Sequence, residues 1–157
     1  MSQTLVEQFA FNRNMLLMEM DKLDESLIDV QLEGLNNTIR WQIGHILTVA
    51  EQFLFGFPNQ SAHLPENYVS LFGNGTKPAD WPEEVPSLAE LKDQLKDQLR
   101  RVMDLQPDYF ATKLEKPFLG QETIGGLAKV AVFHEANHSG QLHTMRLIAG
   151  SKAQALS

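Results

Sequence analysis

Apolar residues recur at helical spacing in four separate stretches of the chain. Leu5, Phe9, Leu16, Met20 and Leu23 predict a first helix from about Thr4 to Leu23. Asp24, Glu25 and Ser26 open a loop that ends at Gly34. In the second helix Trp41, His45, Val49 and Phe53 stand four apart and mark its inward face, with Thr38 and Gln52 beside it. That helix starts after Asn36 or Asn37, either of which can cap it, and runs to about Phe55, where Gly56 and Pro58 stop it. A third stripe, Leu88, Leu91, Leu95, Leu99 and Val102, follows the capping-box pair Ser87 and Glu90 and ends before Pro107. The fourth helix is capped by Thr123 and runs to about Ala149, with Gly150 at its C′ position.

The segments between these helices differ in kind. Pro58, Pro65, Pro78, Pro82 and Pro86 exclude a long regular helix between Gly56 and Pro86. Tyr68, Phe72 and Trp81 in the same segment predict that it packs down onto the fold. A second long connection, Asp108 to Glu122, contains Pro117 and Gly120 and has room for a short hairpin. The predicted fold is all-α: a four-helix bundle with long connections after the second and third helices, in one domain over residues 1–157. Long connections permit crossovers, so the order of the helices in space stays open.

Composition narrows the chemistry. Apolar residues make up 43% and charged residues 21%, the balance of an ordinary globular chain. The formal charge of −7, with no cluster of Lys and Arg, argues against a nucleic-acid partner. No apolar run reaches the roughly 20 residues of a membrane span, and no signal peptide is recognisable, so the expected location is cytoplasmic. Cysteine is absent, so any metal must be held by His, Asp, Glu or water.

The candidate chemistry lies in the histidines. His134 and His138 are four apart on the last helix and share a face. Extending the stripe through Leu127, Val130 and Ala131 on one side and Gln141, Met145 and Ile148 on the other places both imidazoles and Gln141 inward, with Glu135 and Arg146 off its centre. His45 is a polar ring in the apolar row of the second helix. Three inward histidines each need a partner or carry a desolvation cost of roughly 1–3 kcal/mol. One divalent metal held by His45, His134 and His138 satisfies all three and leaves an open position for water, with Gln141 placed to orient a ligand there. His63 and His143 are expected in solvent, as is the charged face from Lys92 to Asp97. Asn12 and Arg13 are expected at the helix edge near the cavity mouth, and Arg146 as a charge complementing the helix dipole.

His134-Glu135-Ala136-Asn137-His138 also satisfies the H-E-x-x-H pattern of zinc metalloproteases. The extended form of that pattern fails, because Gln141 and Thr144 occupy its Gly and third-His positions. No Asp or Glu follows Glu135 that could serve as a distal ligand. Proteolysis is therefore not the expected activity.

Trp41-x-x-Gly44-His45 in the second helix and His134-x-x-x-His138-x-Gly140-Gln141 in the fourth resemble the DinB/YfiT-like family of bacterial four-helix-bundle proteins. The resemblance implies nickel or zinc on His45, His134 and His138, a water-filled open side and a homodimer. It also implies, as in some relatives, a metal-dependent transferase or isomerase that uses a low-molecular-weight thiol such as bacillithiol, mycothiol or glutathione. The expected activity is transfer of such a thiol to a small electrophile, with Gln141 as a catalytic orienting group. The alternatives are a metal-water hydrolase of small molecules and a non-catalytic metal-binding stress protein.

Overall fold

The computed structural model describes residues 2–155. Its elements are α1 (Ser2–Met20), α2 (Ile39–Phe55), the short α3 (Tyr68–Phe72), α4 (Leu88–Met103), a hairpin of β1 (Lys113–Phe118) and β2 (Gln121–Thr123), and α5 (Ile124–Ala155). Three short 3₁₀ segments lie in the connections. The four long helices are those the apolar stripes predict, and the fold is helical apart from the two-stranded antiparallel hairpin.

Local chemistry sets most boundaries. Ser87 accepts from the Glu90 backbone N–H while Glu90 accepts from the Ser87 N–H, the predicted capping box. Gly56 takes a left-handed conformation, φ 70°, and its N–H reaches the carbonyls that end α2. Thr123 accepts from the Gly126 N–H at the start of α5. Three boundaries differ from expectation. The cap of α2 is Thr38, which accepts from Trp41 N–H, and neither Asn36 nor Asn37. The first helix ends at Met20, and Asp24 caps a 3₁₀ turn instead of continuing a loop. Gly150 does not stop α5, which continues to Ala155. A glycine inside a helix costs only about 1 kcal/mol, and a long helix packed along its length absorbs that.

The helices form a ring in which α5 packs against α1 and α2, and α4 packs against the same two. Contacts fix their directions. Asn12 and Arg13 meet Val132 and Glu135 while Glu19 meets Arg146, so α1 and α5 are parallel. Gln42 meets Gln141 while His45 meets His134, so α2 opposes α5. Arg40 meets Pro86 and Glu51 meets Arg101, so α2 and α4 are parallel. The order is up–down–down–up, and the proline-rich segment after α2 is the crossover that this order requires. That segment packs down through buried Tyr68 and Phe72 and half-buried Trp81, as its aromatics predict.

The interior is layered. One apolar cluster includes Leu16, Leu47, Leu95 and Leu142, and another includes Phe9, Leu54, Val102 and Ala128. Between them each helix contributes polar groups: Arg13, Glu51, Gln98 and Glu135, all buried. Arg13 donates twice to Glu135, at 2.8 Å each, and also to Gln98 and the Leu95 carbonyl. Gln98 donates to Glu51, which accepts twice from Arg101 and once from Ser61. Burial pushes the Glu51 carboxyl up, but Arg101, Gln98 and Ser61 together hold it below the usual range. Arg13 therefore does not sit at a cavity mouth. It crosses the bundle core.

Candidate metal centre

α2 is the most enclosed helix, buried on nearly all sides, and this is why a histidine on it must be partnered. His45 is 5% exposed. Its Nδ1–H donates to the Phe72 carbonyl at 2.6 Å, which leaves the Nε2 lone pair facing α5. Two residues build this arrangement. Trp41, one turn before, stacks its ring on the imidazole at 4.4 Å and donates its indole N–H to Thr76. Gly44 lets the Phe72 ring lie against α2: a Cβ at residue 44 would come within 2.4 Å of that ring. The Gly44-His45 pair is thus a single device, in which the glycine admits the segment whose carbonyl orients the next residue.

His134 and His138 come from α5 one turn apart, their ring centroids separated by 4.3 Å. His134 Nε2 stands 3.0 Å from His45 Nε2. His138 donates through Nδ1 to Gln42 Oε1 at 2.5 Å, and Gln42 in turn donates to Gln141 Oε1 at 3.2 Å. One potential ligand nitrogen from each of the three histidines lies within 4.8 Å of the others. Two imidazole nitrogens bound tetrahedrally at 2.0–2.1 Å from one zinc-sized ion stand about 3.4 Å apart. The cluster therefore has the donor type of a three-histidine divalent site, and its nitrogens are close enough that the three rings could close on one ion. Hydrogen-bonded Nδ1 atoms on His45 and His138 are also the outer contacts that fix a ligand's tautomer.

Electrostatics favour neutral, metal-ready rings. Burial lowers the His45 pKa, against a smaller opposing effect of the Phe72 carbonyl. Burial, then the charges of His138 and His45, pushes His134 down to about 3. Burial and His45 push His138 down to about 4.

Three sequence expectations on α5 need correction. His134 and His138 are half-buried and border the buried stripe, whose centre is Ala131, Glu135, Leu142 and Met145. Glu135, expected off that centre, is fully buried because Arg13 neutralises it. Gln141, expected inward, is exposed and bonded to Gln42, and Ile148 is exposed too. Arg146 is also more than a helix-end charge, since it pairs with Glu19 at 2.5 Å. His63 is exposed as expected; His143 is largely exposed but contacts Glu19 at 3.0 Å. Asn12 is half-buried and donates to the Val132 carbonyl.

Sequence reasoning missed Gln42 and Phe72. Gln42 left a signal, being an amide one turn before His45 and next to Trp41 on the inward row of that helix. Phe72 acts through its backbone carbonyl and leaves none. Beside the histidines, across Gln42 and Gln141, lies a cleft of about 750 Å³ between residues 32–37 and the C-terminal half of α5. No helix among the described residues is long and apolar enough to cross a membrane.

No curated protein matches the chain. The family model described as the DinB superfamily matches residues 8–142, a span that runs from within α1 to a point in α5 beyond His134 and His138. The chain belongs to the DinB superfamily.

Proposed function

We propose that this protein holds one divalent ion, nickel or zinc, on His45, His134 and His138, and uses it to transfer a small thiol to an electrophilic carbon. The observation that carries the reading is the convergence of three imidazoles from α2 and α5, two of them oriented through Nδ1. An ion held by His45, His134 and His138 would supply a Lewis acid that lowers the pKa of a bound thiol. The chain's own contribution is to hold the three rings neutral and aimed. His45 is fixed by Phe72 and Trp41, and His138 by Gln42. Gln141 is assigned an orienting role exercised through Gln42, to which it is bonded. With no cysteine in the chain, the reacting sulfur has to come from a cosubstrate.

Hydrolysis is the weaker reading, because it calls for a carboxylate base beside the nucleophilic water. Glu135 is the nearest candidate in sequence, and both its oxygens are taken up by Arg13 in the buried layer. The same contact argues against protease chemistry despite the H-E-x-x-H pattern. The proposal includes a homodimer, as the family resemblance implies.

The test is turnover with nickel- and zinc-loaded protein, using reduced glutathione, bacillithiol and mycothiol in turn with monobromobimane as electrophile. The reading predicts metal-dependent thioether formation with at least one thiol, lost in His45→Ala. Equal rates with and without metal for all three thiols would reject the transferase reading. Ester or amide cleavage by the same loaded protein would favour hydrolysis instead.

A further inference from the structure

The outer face shared by α1 and α5 carries large apolar side chains that the fold leaves uncovered. Phe11, Met15 and Met18 recur at helical spacing on α1, and Phe133 and Leu147 stand four turns apart on α5. Each of the five is between 49% and 73% exposed. The two helices run parallel and in contact, from the bond of Asn12 to Val132 up to the pair of Glu19 and Arg146. Asn12 and Glu19 mark the edge of α1 that meets α5, and Met15, one turn from each, lies on the exposed side of that edge. Val132 and Arg146 mark the matching edge of α5, and Phe133 and Leu147 are the next residues outward. The two apolar rows therefore lie side by side. His143, between them, is turned to Glu19.

The extent of this face matches a particular need. Taking roughly 200 Å² for each such side chain, the five leave about 600 Å² of apolar surface uncovered on one chain. One side of a standard stable interface buries about 800 Å², of which about 65% is apolar when the partner is an identical chain. The face thus holds the apolar core that one side of a homodimer requires. Gly140 is the second observation. It is exposed and lies midway between Phe133 and Leu147 on the same outer row. Glycine within a helix is less stable than alanine because it loses more backbone freedom. A Cβ built at Gly140 would meet no atom within 4 Å, so packing inside the chain does not call for the glycine. A bare backbone at the centre of an apolar row lets a second helix approach closely.

We propose that a second copy of this chain packs on the α1/α5 face about a two-fold axis, with the two α5 helices crossing near Gly140 and the five apolar side chains buried between the copies. The inference rests on the homodimer included in the reading above and adds where the copies meet. A two-fold contact needs a face that matches itself, and an apolar row with a small residue at its midpoint does so. His134 and His138 lie on the other edge of α5, toward α2, so each chain keeps its own histidine site clear of the contact.

The experiment is sedimentation velocity of the untagged full chain from about 1 to 100 μM, metal-free and zinc-loaded. The expected result is a dimer in the wild type. Met15→Lys and Phe133→Lys, both at exposed positions, should each weaken it at least tenfold with unchanged helical circular dichroism, because each buries a charge without a partner. Leu119→Lys, at an exposed apolar residue of the hairpin tip, should leave the dimer as it is. A second measurement does not depend on disrupting the contact. A nitroxide attached at Thr144→Cys, the chain's only cysteine, should read a distance of about 25 Å or less to its mate by pulsed electron resonance, since packed helices lie about 10 Å apart. A wild type that stays monomeric at every concentration overturns this inference and the homodimer reading together. A dimer that survives both Met15→Lys and Phe133→Lys, or labels farther apart than about 40 Å, overturns the proposed face and leaves the homodimer reading standing.

Discussion

His45, Gly44 and Phe72 show how one backbone carbonyl and one missing methyl group can define a ligand. Placing a Cβ 2.4 Å from the Phe72 ring forces that segment away from α2. Gly44→Ala is therefore expected to cost about 1–3 kcal/mol by overpacking. It should also weaken metal binding, because His45 loses the carbonyl that aims it; urea unfolding and zinc titration of the same variant check both. A titration effect belongs to this scale as well. His134 and His138 are held neutral in the folded chain, with pKa values pushed to about 3 and about 4, while unfolded histidine titrates near 6.5. As pH falls below about 6.5 the unfolded chain takes up protons that the folded chain refuses, so stability declines toward pH 4 and below. Metal-free wild type should lose more stability between pH 7 and pH 5 than a metal-free His134→Leu variant. Identical urea midpoint shifts in the two would contradict the burial of that ring.

At the level of elements, the polar layer explains both what the apolar stripes predicted and where they misled. Capping by Ser87, the stop at Gly56 and four helical stretches are local events, and local sequence encodes them. The inward face of α5 is not local. Its centre is Glu135, a charge that binary patterning assigns to solvent, and it is buried only because Arg13 on α1 meets it. Counting Glu135 as outward rotates the inferred stripe toward Gln141 and Ile148, which are in fact exposed. The histidines survive that error because they sit at the border of the stripe, within reach of either assignment. Breaking the pair tests the layer. Glu135→Leu should destabilise by about 3–5 kcal/mol by leaving Arg13 buried without its carboxylate, and Arg13→Met in the same chain should recover much of that. Two additive losses would mean the pair is not coupled. Gly150, within α5, gives a smaller check: Gly150→Ala should stabilise by about 0.5–1 kcal/mol in thermal unfolding, whereas a true C′ glycine would lose stability on that change.

For the whole molecule, up–down–down–up connectivity makes α2 and α5 antiparallel neighbours, which brings a histidine in the first half of one helix against a pair in the first half of the other. Helix spacing alone located the three rings and argued for a divalent ion between them, and the family resemblance added nickel or zinc as the expected ion. Which helices adjoin depends on contacts between residues far apart in sequence, such as Arg13 with Glu135 and Gln42 with His138, and no periodicity records those. The cleft beside the site is a product of the same assembly, formed where residues 32–37 meet α5. The central claim is that this assembly makes a metal site. The most direct measurement is the zinc and nickel content of the untagged chain after reconstitution and exhaustive dialysis, wild type beside His45→Ala and His134→Ala. The account predicts close to one ion per chain in wild type and loss of that ion in both variants, each still folded by circular dichroism. Stoichiometric metal retained in His45→Ala would contradict the cross-helix site, and a wild type that retains none would leave three histidines that serve only the fold.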